Sequence, residues 1–187
     1  MRIVLIDNKK EQMKLLSTLL LGNDVRQIEF KPSMKVDVLA EMLLELIDND
    51  TCLVFDLCLR KSEESRHAHV LEEYVSIKTI RNILTSIDKD DSRLLKLRFL
   101  FMSNYVIADN PTVEKIDSLF SDIPQYVATI EKPLKKEGNE KNGNEIWELD
   151  TGYFYGKLYL RNLEKQYQTT NMQESFVNMI LYGRHQE

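Results

Sequence analysis

The sequence is poor in the features that would mark many protein classes. It has two cysteines in 187 residues, Cys52 and Cys58, so no disulfide framework supports it. A chain of this length buries enough of its own surface to do without one. Six glycines and four prolines exclude a collagen-like or low-complexity chain. No Walker-type loop and no G-x-G-x-x-G occurs, which removes the common phosphate cradles, and no nucleophile elbow or zinc-finger spacing is present. No apolar run is long enough to cross a bilayer. The first apolar stretch, Ile3 to Ile6, is cut short by Asp7 and followed by Lys9 and Lys10, unlike a signal peptide. A basic excess is also missing: 25 Lys and Arg face 30 Asp and Glu, a net charge of -5, which disfavours a direct nucleic-acid binder. These absences point to a cytoplasmic protein with reduced thiols and no membrane partner.

What the chain does have is a repeated alternation. Arg2 to Asp7, Thr51 to Leu57 and Leu97 to Ser103 are short apolar runs that read as buried strands, and Tyr126 to Glu131 reads as another. Val25 to Phe30 alternates as a further strand. Between them lie helical patterns over Lys9 to Leu21 (stopped by Gly22-Asn23), Val36 to Ile47, Val70 to Ile87, and from Pro111 through Phe120. Five strands alternating with four helices predict a parallel sheet covered on both faces. The pattern breaks after Leu134. Residues 135–145 hold two glycines and only one type of character, polar and charged, and read as a loop or linker. Residues 146–187 are rich in aromatics and read as a helical extension, with Leu158 to Tyr167 as one helix. Asn171 with Glu174 resembles a capping box for a last one.

Chemistry in an open sheet of this kind gathers at the carboxyl ends of the strands. Four anchors stand there: Asp7-Asn8, Asp56, Ser103-Asn104 and Lys132-Pro133. Two carboxylates suit a hard cation such as Mg²⁺, while a hydroxyl and an ammonium suit the oxygens of a phosphoryl group. Singly, each acid reads as a helix cap or a solvated turn residue. Their joint occurrence, in order and each at a strand end, is what favours a site. Cys52 and Cys58 read as small buried hydrophobes. His67 and His69 lack a third metal ligand nearby and read as part of a solvated segment.

On these four stretches (Ile3-Val-Leu-Ile-Asp7-Asn8, Leu53-Val-Phe-Asp56-Leu57-Cys58, Phe99-Leu-Phe-Met-Ser103-Asn104 and Ile130-Glu-Lys132-Pro133) the chain resembles a response-regulator receiver domain of two-component signalling, over residues 1–134. The resemblance implies a flavodoxin-like five-stranded parallel sheet of order 2-1-3-4-5 flanked by helices, with a C-terminal extension. It implies that Asp56 accepts a phosphoryl group from a sensor histidine kinase or phosphotransfer protein. It further implies that Ser103 and Lys132 engage that group, and that Mg²⁺ is held by Asp7, Asn8, Asp56 and the backbone carbonyl of Cys58.

The chain also departs from the family pattern. Asn8 replaces the usual second acid and removes a charge from the metal set. Thr129 stands where an aromatic usually reorients on activation, and Arg60 to His69 replaces the usual Pro-Gly-containing turn. An alternative reading follows: a pseudo-receiver that binds partners without phosphorylation, in which Lys132 rests against Asp56 and leaves no room for Mg²⁺. A phosphohydrolase of related topology is weaker still, because the general acid expected two residues after Asp56 is Cys58. No DNA-binding output module follows the sheet, so the expected output is a change in protein–protein contacts. The tail either completes the core or forms a homodimer interface.

Overall fold

The central strand is β1 (Arg2–Asp7), and its burial explains its composition. Ile3 to Asp7 are all buried. Side chains alternate across a strand, so Val4 and Ile6 enter one core while Ile3 and Leu5 enter the other. In the computed structural model, residues 1–59, 71–104, 111–137, 146–150, 153–154 and 170–183 are described.

Around β1 the chain builds α1 (Lys10–Thr18), β2 (Asp24–Glu29), α2 (Val36–Leu46), β3 (Thr51–Asp56), α3 (Val75–Ser86), a short α4 (Ser92–Lys96), β4 (Arg98–Ser103), α5 (Pro111–Leu119) and β5 (Tyr126–Glu131). The five strands form one parallel sheet of order β2-β1-β3-β4-β5. β3 is buried along its whole length, whereas β2 at the edge buries only Ile28. This flavodoxin-like α/β sheet is the expected one.

Two cores lie on opposite faces of the sheet. On one, Leu39 and Leu43 of α2, Ile77, Ile80 and Ile83 of α3, and Ile116 of α5 pack on Leu53, Phe55, Phe99 and Phe101. Phe99, Phe101, Phe120 and Tyr126 form a ring cluster with centroids 5.3–6.2 Å apart, a spacing at which offset rings attract. On the other face, Met13 and Leu16 of α1 meet Phe176, Met179 and Ile180 from a final helix, α6 (Met172–Tyr182). The tail therefore covers core. Gly183 ends α6 against β5, where a Cβ would overlap the Met179 carbonyl oxygen and Val127. Among the described residues no helix is long and apolar enough to cross a membrane.

Four expectations need correction. The segment read as a linker from residue 135 begins in a strand: β6 (Leu134–Lys136) pairs antiparallel with β7 (Trp147–Leu149). Alternation there is too short to register as a pattern, and pairing supplies what propensity does not. The extension is accordingly mixed rather than helical, with β8 (Tyr153–Phe154) and β9 (Thr170–Asn171) before α6. The single helix expected over Val70 to Ile87 is a 3₁₀ turn (Leu71–Glu73) followed by α3, because Tyr74 is extended. Leu71, Tyr74 and Val75 are all buried, so apolar periodicity reported burial and not backbone. Helix α1 stops at Thr18 rather than Leu21, and the turns after it reach Gly22 at φ 89°. The expected helix at Leu158 to Tyr167, and His67 with His69, lie outside the described residues.

Candidate functional site

The parallel register brings the strand ends to one edge. Asp7 ends β1, Asp56 ends β3, Ser103 ends β4, and Lys132 follows β5. Backbone bonds stitch that edge together. The Leu57 N–H donates to the Met102 carbonyl (2.8 Å), and the Lys132 N–H donates to the Ser103 carbonyl (2.9 Å). Lys132 is thereby anchored beside Ser103 before its side chain is considered.

The side chain of Lys132 then runs inward and is 1% exposed. Its ammonium lies 2.7 Å from Asp7 Oδ2 and 2.9 Å from Asp56 Oδ1, and donates to Gln12 Oε1 at 2.8 Å. A lysine ammonium has three N–H donors, and here three acceptors surround it. Burial lowers its pKa, but Asp56 and Asp7 together outweigh that and hold it above the ordinary lysine value. The other oxygen of Asp7, Oδ1, accepts the Lys9 N–H at 2.9 Å. Two carboxylates against one ammonium leave one negative charge at the edge.

The two acids differ in access. Asp7 is fully buried, while Asp56 keeps 7% of its surface. Of the two, Asp56 is the one whose side chain keeps some surface open to solvent. Asn8 donates its amide nitrogen to the Leu59 carbonyl at 2.9 Å, tying the end of β1 to the chain after β3. Cys58 follows β3 and is half-buried, and Cys52 is fully buried, its thiol pushed up to about 12 by desolvation. Buried thiols of that kind are inert. Asn104 carries a buried Oδ1 that accepts no hydrogen bond among the described residues.

Carboxylates and amide or backbone carbonyls are the oxygen ligands Mg²⁺ prefers. Asp7, Asp56, the amide of Asn8 and the backbone of Cys58 match it in kind. The ammonium already sits between the two carboxylates, so a cation shared by both would compete with Lys132.

One residue of the site went unread in the sequence. Gln12 of α1 is fully buried beside Lys132. It stands four residues before Leu16 and eight before Leu20, both buried. A polar residue on the apolar stripe of a helix was the available signal. A second feature lies next door: Glu131, half-buried at the end of β5, has its carboxyl pushed up to about 7 by desolvation and then by Asp150. Asp150 is held there through its N–H, which donates to the Pro133 carbonyl.

No family model matches this chain, and no curated protein matches it.

Proposed function

We propose that the chain is a receiver-like signalling protein in which Asp56 accepts a phosphoryl group. The observation that carries this reading is the meeting of Asp7, Asp56 and Lys132 within 2.9 Å contacts, from residues up to 125 positions apart. In the reaction, an Asp56 carboxylate oxygen bonds to phosphorus while the bond from phosphorus to the donor (a phosphohistidine nitrogen, or the acyl oxygen of acetyl phosphate) breaks. The leaving group keeps the electron pair. The product carries roughly two negative charges on its phosphoryl group at neutral pH in place of the single charge of the Asp56 carboxylate, so the edge becomes more negative by about one. Lys132 is the cation at hand, and its raised pKa keeps it protonated. Mg²⁺ held by Asp7, Asp56, Asn8 and the Cys58 carbonyl would supply the remaining neutralisation. Ser103 ends β4, and its backbone carbonyl accepts the Lys132 N–H, which supports a role for Ser103 beside that lysine. The output is altered contact with a protein partner.

A second reading is supported by two specific contacts. Lys132 already rests on Asp56, and Asn8 directs its amide nitrogen to Leu59. Both suit a pseudo-receiver module that works without phosphorylation. One experiment separates the two. The full chain is incubated with acetyl phosphate and Mg²⁺ and its intact mass is read. Gain of one phosphoryl group, lost in Asp56→Asn, supports the phosphoacceptor. No gain in a chain shown to be folded leaves the module.

A further inference from the structure

Gln12 is satisfied at one end of its amide only. Its Oε1 takes the third N–H of Lys132, while its Nε2 is buried with no partner among the described residues. An unpaired buried N–H is a standing cost. A methionine or leucine at this position of α1 would avoid it and still fill the core. What distinguishes glutamine here is the acceptor that it turns toward the ammonium.

We propose that Gln12 is a positioning residue that holds Lys132 in place and sets how readily that lysine leaves Asp56 for an incoming phosphoryl group. With Asp7, Asp56 and Gln12 all bound, the ammonium has no donor left over. To meet a new oxyanion it must give up one of the three. Asp7 is buried and its second oxygen is fixed by the Lys9 N–H. Gln12 is the only neutral acceptor of the three, so it restrains Lys132 by a hydrogen bond without adding a charge that would repel the anion. An acid in its place would hold the lysine harder and make the edge more negative. An apolar residue would leave the lysine with two partners.

The part of this proposal that concerns the phosphoryl group rests on the proposed function, and the experiment keeps the two apart. Lysine-labelled full-length protein is prepared as wild type, Gln12→Met and Gln12→Glu. Two quantities are measured: solvent exchange of the Lys132 ammonium protons by NMR, and affinity for beryllofluoride with Mg²⁺. In Gln12→Met we expect faster ammonium exchange and beryllofluoride binding about tenfold tighter, the worth of one modest hydrogen bond. In Gln12→Glu we expect slower exchange and binding weaker by at least about tenfold. Opposite shifts in the two variants are a signature that a merely structural residue does not produce. Unchanged exchange in folded Gln12→Met overturns the positioning role. Weaker beryllofluoride binding in both variants overturns the link to anion uptake. If wild type takes no beryllofluoride, the phosphoacceptor reading fails and the anion link falls with it, while the exchange rates still decide whether Gln12 positions Lys132.

Discussion

The two ends of the sheet both carry ion pairs, and they use them differently. At the carboxyl edge, Lys132 and Asp7 are buried almost completely and Asp56 nearly so. At the amino edge, Arg2 meets Asp24 at 2.9 Å and Asp48 at 3.1 Å, and Arg98 meets Asp50 at 3.3 Å, with those carboxylates 40–47% exposed. Hydrogen bonds from Arg2 and, for Asp48, from the Asp50 backbone hold Asp24 and Asp48 below the ordinary carboxylate range. Exposed pairs of this kind contribute little, because water and salt screen them. Buried pairs are different. Their formation gains little net, but removing one partner strands a charge in a poor solvent. The carboxyl edge therefore holds charges that are costly to strand, and the amino edge holds most of its charges within reach of water.

The sharpest way to break this contrast is Lys132→Met. It leaves two buried carboxylates without their cation and should cost about 3–5 kcal/mol of unfolding free energy in urea. Adding Asp7→Asn to that variant should recover a large part, and failure to recover any would mean that the carboxylates are not the source of the loss. The Lys132 contribution has a definite pH sense. Its folded pKa is raised, so the stabilisation is complete below the ordinary lysine value and disappears only as the pH rises through the folded one.

Arg98 is the exception at the amino edge, since its guanidinium is buried and donates to the Ile180 and Leu181 carbonyls at the end of α6. Arg98→Leu should cost about 1–3 kcal/mol, with faster amide exchange concentrated in α6. Exchange that quickens evenly along the whole chain would contradict a local clasp.

Glu131→Gln should come next in size. The folded carboxyl is raised to about 7, so between its ordinary value and about 7 the folded state binds more protons than the unfolded one. Stability then falls as the pH rises through that window. The substitution should stabilise by about 1 kcal/mol at pH 8 after allowance for partial exposure, and by nothing at pH 4. A gain of equal size at both pH values would show that charge is not the cause. The smallest effect belongs to Arg2→Ala, within about 1 kcal/mol and shrinking further in high salt.

Much of this molecule was legible along the chain. β1 and β5 were read with their bounds intact and β3 and β4 within one residue, because a strand buried on both faces must be a continuous apolar run, while β2 at the edge was read one residue late. The acids and the lysine at strand ends could be listed as anchors for the same reason, since a charge closing an apolar run marks where the sheet stops. The β6–β7 pairing was not legible. Three residues on each side carry too little pattern, and their partner lies across a segment with none. Gln12 was missed because nothing in α1 says which polar residue faces a lysine 120 positions away.

Composition and periodicity by themselves determined the layered α/β sheet and the list of charged residues at its edge, since burial on two faces leaves an unmistakable run of apolar side chains. Only the tertiary structure decided that one ammonium serves two carboxylates and an amide, that Asp56 rather than Asp7 reaches solvent, and that α6 completes the second core. Those are matters of distance and desolvation between segments remote in sequence, and no local pattern encodes them.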